Sequence, residues 1–313
     1  MSLLFRIIAA VGESVVAPTA YPLGAQQFSE KNQGKAISVV ECCFGIGMVF
    51  GPSLGGVMYN AFGFSAPIWL LAALLLLIFG TSVIFLEKRI KTQLNTKEET
   101  LWRDLFMCPG LIPNVIGLII AGTAYNWYSA SLEPYLVQQF GFNAGQVGLI
   151  LVGFSCAYTF LAPPFGVLFD WGLSPLYAAL MGNGVIMLSM FLLGPIPGLD
   201  DLNNIPVKAT ALVLHGAGTS CTYLAALLGM VESIKAGGLP QTEQTTGMVT
   251  SVWLMSLSLG AFLGSLIGGY LYDIIGFSWL CSVEGIAVGL TTICLVGAAL
   301  LGRKTDDNYQ SFE

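Results

Sequence analysis

The sequence contains few charged residues: Asp, Glu, Lys and Arg together make up 10% of its 313 residues. There are 12 Lys and Arg against 18 Asp and Glu, and a single histidine. A soluble domain needs more charge than this to cover its surface. The net charge of −6 and the short basic loops give no indication of a nucleic-acid partner.

The chain also lacks the patterns on which enzymes and metal proteins depend. Its seven cysteines are scattered and include no C-x-x-C pair, so we expect them to be packing residues. No phosphate loop, metal-ligand cluster or nucleophile–base pairing stands out. The sequence therefore predicts no enzyme activity, no cofactor and no metal site.

Long apolar runs dominate what is present: hydrophobic residues make up 55% of the chain, and the mean hydropathy is +0.76. Runs this long predict an all-α polytopic membrane protein, because barrel strands are shorter and alternate. We predict nine membrane-spanning helices at about residues 3–26, 35–58, 66–86, 111–137, 144–168, 174–196, 206–234, 245–271 and 277–302. For the first run, the alternative is a signal peptide cleaved near APTA at residues 17–20, which Glu13 within the run opposes.

The basic residues predict the orientation, because cytoplasmic loops of membrane proteins carry the excess of Lys and Arg. Lys208 alone lies on the opposite side, and Arg6 lies within the first predicted span. We therefore expect a cytoplasmic C-terminus. The other ten basic residues fall in the breaks of one side: Lys31, Lys35, Lys88, Arg89, Lys91, Lys97, Arg103, Lys235, Arg303 and Lys304.

An internal repeat relates the second span to the eighth. Both copies start on the same side of the membrane, as in the two parallel halves of a major facilitator transporter. Residues 34, 38, 39, 47, 51, 55, 56, 59, 63, 64 and 65 recur without a gap as Gly247, Ser251, Val252, Gly260, Gly264, Gly268, Gly269, Tyr272, Gly276, Phe277 and Ser278.

The repeat predicts a domain organisation of six helices per half. The chain then holds helices four to twelve of twelve, with the first three missing. We expect a partial N-terminal bundle at 1–86 (helices four to six), a cytoplasmic linker at 87–110, a C-terminal six-helix bundle at 111–302 and a cytoplasmic tail at 303–313.

Glycines on one helix face predict a close helix–helix contact in the second span. Gly47, Gly51 and Gly55 are spaced by four residues, which removes side chains from one face and lets another backbone approach. Pro52 frees a carbonyl one turn back and can bend the helix.

The stretch GIGMVFGPSLGG at residues 45–56 resembles a family motif. It matches the antiporter motif G-x-x-x-G-P-x-x-G-G of major facilitator drug/proton and vesicular amine exchangers at Gly47, Gly51, Pro52, Gly55 and Gly56. Further stretches are similar to solute-carrier family 18, most of all to its vesicular polyamine branch: APIWLLAALLLL at 66–77, FGFNAGQVGLILVG at 140–153, LLGPIPGL at 192–199 and SLGAFLGSLIGGYLYDIIGF at 258–277.

The resemblance implies the major facilitator fold, exchange of a cation for protons and several residue roles. Arg6 matches the arginine of the helix-four motif, although Ala10 replaces a glycine of that motif. Gly166 and Asp170 match a gating-loop pattern that here lacks its basic residues. Leu254 stands where monoamine transporters have a proton-binding acid, which argues against the usual monoamine chemistry.

Carboxylates inside apolar runs are the main candidates for a substrate or proton site. Placing an ionised side chain near the bilayer centre costs about 2.5–3.5 kcal/mol of free energy or more. The candidates are Glu41, Glu133, Glu13 and Glu284. Glu41 matches an acid of the polyamine branch. Glu133 resembles the acid of the family's Leu-Glu/Asp-Pro motif, whereas a gap-free alignment puts that acid at Ser129. Tyr125, Trp127 and Tyr128 can supply cation–π contacts or bundle packing.

These observations predict a proton-coupled antiporter that moves organic cations, with polyamines as the preferred substrate, into vesicles. Its partners would be a small cationic amine, protons and the lipid bilayer, and the fold implies a monomer. A monoamine or drug exchanger is the alternative within transport. A truncated, non-transporting product that associates with the full-length transporter is the alternative of another class.

Overall fold

The computed structural model describes residues 7–12, 14, 16, 19–21, 32–85, 102–129, 131–195, 203–240 and 242–310. Their regular structure is helical throughout and contains no strand, which confirms the all-α prediction. The helices are α1 (Gln33–Phe62), α2 (Ser65–Phe85), α3 (Trp102–Met107), α4 (Leu111–Ser129), α5 (Leu132–Phe140), α6 (Ala144–Asp170), α7 (Pro175–Leu193), α8 (Ile205–Ala236) and α9 (Glu243–Gln310).

Five stretches of the described helices are long and apolar enough to cross a membrane: 65–84, 146–170, 175–193, 205–236 and 244–297. The last has 54 residues, which at 1.5 Å per residue is about 80 Å, far more than one bilayer crossing needs. Gly276 divides it with φ 73° and ψ 171°. Glycine adopts such a backbone without steric penalty, and the break lies between the two predicted spans 245–271 and 277–302.

The predicted span at 111–137 consists of two helices, α4, which ends at Ser129, and α5, which begins at Leu132. Pro134 lies in the first turn of α5, where the N–H that proline lacks would have no helical partner. The break between the two helices therefore falls just before this proline.

Two helix boundaries follow side-chain caps. Asn143 and Gln146 form a capping box at the start of α6, in which each side chain accepts a hydrogen bond from the other's backbone N–H. The Asn204 side chain accepts a hydrogen bond from the Val207 N–H at the start of α8.

Some predicted boundaries differ from the helices of the structure. α3 lies inside the segment predicted as a linker, and α9 continues through residues 303–310, which were predicted as a tail. Arg6 and Glu13 lie outside the described residues.

The chain forms two compact units, Met1–Gly45 with Thr100–Glu313, and Ile46–Glu99. In the larger unit, α4 packs along α9, and α8 packs against both α6 and α7. Its core includes Leu111, Met230 and Trp253, each at most 2% exposed. In the smaller unit, α2 carries five exposed leucines between residues 71 and 77.

The second copy of the glycine repeat makes the close backbone contact that the spacing predicts. A Cβ at Gly264 would lie 2.6 Å from the Thr123 carbonyl oxygen, and one at Gly268 would lie 2.5 Å from that of Trp127. Gly260 approaches the backbone of Ile119 in the same way. The glycine face of α9 is therefore filled by the backbone of α4.

The first copy differs from the second. Within the smaller unit, no described atom lies within 4 Å of a Cβ built at Gly47, Gly51 or Gly55. α1 continues through Pro52 and Gly56 as an unbroken helix.

Gly264→Ala tests the packing of α9 on α4. We expect the free energy of unfolding to fall by about 1–3 kcal/mol, because the new methyl group displaces the α4 backbone. Gly269→Ala is the matched control, since nothing lies within 4 Å of its Cβ, and alanine favours a helix over glycine by about 1 kcal/mol. Denaturant unfolding of the purified protein in detergent measures both changes. Equal stability of the two variants would contradict the contact.

Candidate functional site

Glu41 is held between two tyrosines in the interior of the larger unit. Its side chain is 1% exposed. The Tyr21 hydroxyl donates a hydrogen bond to Glu41 Oε1 at 2.5 Å, and the Tyr158 hydroxyl donates to Oε2. Each carboxylate oxygen therefore has its own donor, which is the arrangement that stabilises a buried charge.

Aromatic rings surround this cluster. Tyr21 contacts Trp253 edge to face, with ring centroids 5.3 Å apart. Tyr223 contacts Tyr158 at 6.2 Å and Trp253 at 6.3 Å. The Trp253 Nε1–H donates to the Tyr223 carbonyl at 3.1 Å, which fixes the indole ring. We call Tyr21, Tyr158, Tyr223 and Trp253 the aromatic shell of Glu41.

A row of rings extends the shell toward α4. The ring centroid of Phe154, one turn before Tyr158 on α6, lies 6.3 Å from the ring centroid of Tyr158. Tyr125 of α4 stacks on Phe154 at 4.6 Å, with the two ring planes 21° apart. The structure thus brings Tyr125, a predicted site residue, into the same row as Tyr158. The side chain of Tyr128 lies outside the described residues.

Close packing of α1 on α6 explains why Glu41 meets Tyr158. Gly45 lies one turn after Glu41, and a Cβ there would clash with the side chain of Thr159, including its Cβ at 2.9 Å. Because Thr159 follows Tyr158 directly, the same approach of the two helices brings the tyrosine hydroxyl to the carboxylate.

Glu284 is buried at a different place, in the part of α9 after Gly276. It is 2% exposed, and its Oε1 lies 2.6 Å from Thr123 Oγ1 of α4. Nearby, the Trp127 Nε1–H donates to the Leu280 carbonyl at 3.0 Å, which holds this part of α9 against α4. Glu284 is therefore the second carboxylate that the structure withdraws from solvent.

Glu133 lies in an exposed position in the first turn of α5. A carboxylate is favourable there, because the unpaired N–H groups of a helix start carry partial positive charge. The structure does not bring Glu133 to the tyrosine cluster of Glu41.

The Asp170 carboxylate joins the end of α6 to the start of α1. Its Oδ2 accepts a hydrogen bond from the Lys35 backbone N–H at 3.1 Å. Lys35 lies in the first turn of α1, so Asp170 supplies a partner for an N–H that has none within the helix. Gly166 is buried one turn earlier on α6.

Lys208 is a buried cation, which the sequence analysis used only as the single basic residue on the side opposite the basic loops. It is 0% exposed, and its Nζ donates to the carbonyl of Leu193, the last residue of α7, at 2.8 Å. The Tyr135 ring centroid lies 4.8 Å from Nζ. Lys208 is the fourth residue of α8, inside a long apolar run, and this position was the available sequence signal for its burial.

The sequence reading also missed Tyr21, Tyr158, Tyr223 and Trp253 as site residues. Nothing in the order of residues marks them, because aromatic side chains are common in membrane-spanning helices and at their ends. Only the pairing of distant helices identifies them.

A polytopic helical bundle with a buried carboxylate in an aromatic shell is typical of a membrane transporter. The model of the Major Facilitator Superfamily matches residues 1–239 and 114–311 of this chain. The chain belongs to the Major Facilitator Superfamily, whose members are transporters.

Among curated proteins, the chain is similar to the MFS-type transporter SLC18B1 of Rattus norvegicus, with 27% identity over 94% of this chain and 64% of that protein. It is 24% identical to the synaptic vesicular amine transporter of Bos taurus over 91% of this chain and 53% of the relative. It is 25% identical to the vacuolar basic amino acid transporter 3 of Saccharomyces cerevisiae over 51% of this chain and 40% of that relative. The chain thus spans less than two thirds of the length of each of these relatives.

Tyr158→Phe tests the hydrogen bond to Glu41. We expect the free energy of unfolding to fall by about 1.5–3 kcal/mol, the usual contribution of a hydrogen bond to a charged group. Tyr223→Phe is the control, because its ring belongs to the same shell while its hydroxyl makes no bond to Glu41. Denaturant unfolding in detergent measures the difference. An equal loss in Tyr223→Phe would contradict a specific contribution of the hydrogen bond to Glu41.

Proposed function

We propose that this chain carries the cation-binding site of a proton-coupled antiporter that moves organic cations, preferably polyamines, into vesicles. The observation that carries the proposal is Glu41, a carboxylate withdrawn from solvent inside an aromatic shell. A carboxylate accepts hydrogen bonds from an ammonium group, and the faces of tyrosine and tryptophan attract cations. An alkylammonium ion needs both features.

Exchange follows from competition at one carboxylate. A buried carboxylate is stable when it is neutralised or well hydrogen-bonded, and either a proton or an ammonium ion can neutralise it. An amine that binds Glu41 takes over contacts now made by the tyrosine hydroxyls. A proton that binds Glu41 from an acidic lumen then releases the amine there.

The cargo classes in the relatives' names support an amine substrate. One relative is named for amines and vesicles, another for basic amino acids and the vacuole, and both cargoes carry a basic nitrogen. A polyamine has several such nitrogens. The exposed Glu133 offers a further carboxylate of the same chain, and Tyr125 extends the aromatic row away from Glu41. A monoamine or drug substrate remains the alternative within transport.

Glu41→Gln tests the site by removing the charge while keeping the shape of the side chain. We expect radiolabelled spermidine to bind the purified chain and to lose at least tenfold in affinity in Glu41→Gln. Affinity should also fall as the pH is lowered, because protons compete for the same carboxylate. Glu232→Gln, an identical change at an exposed position of α8, is the control.

Competition identifies the substrate class. Spermine should displace the bound spermidine more strongly than serotonin does, whereas the reverse order would favour a monoamine exchanger. Spermidine binding that is equal in Glu41→Gln and in the unchanged chain would overturn the site. Uptake driven by a pH gradient into liposomes that contain the chain tests the transport step itself.

One observation favours the second candidate function, association with a longer transporter. Within the smaller unit, Gly47, Gly51 and Gly55 form a face of α1 without a described neighbour, while the repeat-related face of α9 is filled by α4. By this repeat, the open face fits a membrane helix equivalent to α4. A separate polypeptide that supplies such a helix would make this chain an interaction partner.

Gly51→Leu tests that association. We expect the chain to co-purify with a co-expressed full-length SLC18B1-type transporter and the Leu variant to lose most of that recovery, because a bulky side chain prevents backbone approach. Gly269→Leu is the control at an open glycine of α9. Recovery that is equal for both variants would contradict an interface on this face.

A further inference from the structure

Two buried carboxylates of the larger unit differ in how many protons their contacts require. Glu41 has two oxygen contacts, to the hydroxyls of Tyr21 and Tyr158. Each hydroxyl supplies one hydrogen, so both contacts are hydrogen bonds without any proton on Glu41. The geometry around Glu41 is that of an ionised carboxylate.

The contacts of Glu284 require one more hydrogen. Thr123 Oγ1 lies 2.6 Å from Glu284 Oε1 and also 2.6 Å from the Ile120 carbonyl oxygen. Both distances lie in the range of full O–H···O hydrogen bonds, yet the threonine hydroxyl has a single hydrogen. That hydrogen cannot point straight at both acceptors, and Ile120 offers a carbonyl that only accepts.

A proton on Glu284 satisfies both contacts. Glu284 Oε1–H then donates to Thr123 Oγ1, and the threonine hydrogen donates to the Ile120 carbonyl. When the proton leaves, the threonine hydrogen turns to the carboxylate and the Ile120 contact opens. From this count we infer that Glu284 is a protonated acid and forms a proton site separate from the cation site at Glu41.

The surroundings of Glu284 contain little other charge. Thr123 faces it from α4, and Met187 and Met190 of α7 pack beside the following glycines, Gly285 and Gly289. On its own helix, Cys281 lies three residues earlier, on the same face as Glu284. The Lys208 Nζ lies 5.8 Å from the ring centroid of Phe277, two turns before Glu284.

α4 lies between the proton site and the cation site. Thr123 contacts Glu284, and Tyr125, two residues later, stacks on Phe154 in the row that leads to Tyr158. Side chains two residues apart point to different sides of a helix. A movement of α4 when Glu284 loses its proton would therefore reach the shell of Glu41. This role in exchange rests on the proposed function, whereas the proton itself rests on the geometry alone.

Infrared spectroscopy of the purified chain tests the proton directly, without any transport. A protonated carboxylic acid has a C=O stretching band that shifts in D2O. We expect a band at neutral pH that Glu284→Gln removes and Glu41→Gln leaves in place. A band that survives in Glu284→Gln, or that disappears only in Glu41→Gln, would overturn the assignment.

Thr123 provides a second test that does not change the carboxylate. In Thr123→Val the band should move to higher frequency, because the acid loses its acceptor, and Thr123→Ser should restore the original frequency. An unchanged frequency in Thr123→Val would contradict the hydrogen-bond chain, even where Glu284→Gln fails to fold.

Spermidine binding separates this inference from the proposed function. We expect Glu284→Gln to keep spermidine binding and to weaken the dependence of liposome uptake on a pH gradient, while the part of that dependence due to competition at Glu41 remains. Loss of binding in Glu284→Gln would place the amine at Glu284 and overturn the separation of the sites. If the unchanged chain binds no spermidine while the infrared band behaves as expected, the proposed function fails and the proton site stands.

Discussion

The hydrogen bonds from two tyrosines to Glu41 are the interaction around which the larger unit is organised. They join α1 to α6 and to the segment at 19–21, and the same tyrosines carry the ring contacts that reach Trp253 and Tyr223. An ionised carboxylate in this interior would be very unfavourable without both donors. The contact of the first part of α1, up to Gly45, with α6 therefore depends on hydrogen bonds to a single residue.

Backbone contacts at glycines set how close the helices come. Gly45 brings α1 to α6 beside the Glu41 cluster, and Gly260, Gly264 and Gly268 bring α9 to α4 beside Glu284. Both buried carboxylates thus lie next to a glycine-mediated helix contact. Such contacts fix a side chain's partners within a narrow range of distance, which a hydrogen bond to a buried charge requires.

The helices and the family could be predicted from the sequence, because long apolar runs and the repeat at an offset of 213 depend only on local order. The carboxylates were less predictable. Glu41, Glu133 and Glu284 give the same signal, an acid within an apolar run, yet Glu41 and Glu284 are buried while Glu133 is exposed. The break between α4 and α5, which puts Glu133 at a helix start, decides this difference.

The sequence by itself determined which segments form helices and where Gly276 and Pro134 interrupt or start them. These depend on interactions between residues a few positions apart. The glycine spacing predicts a close contact equally for both copies of the repeat, and only the structure shows that the copy in α9 makes one among the described residues. Only the tertiary structure decided which acid receives which partner, since Tyr21 and Tyr158 lie 20 and 117 residues from Glu41, and Thr123 lies 161 residues from Glu284. Contacts at such separations leave no periodic trace in the chain, because they arise when whole helices pack and not from the order of neighbouring residues.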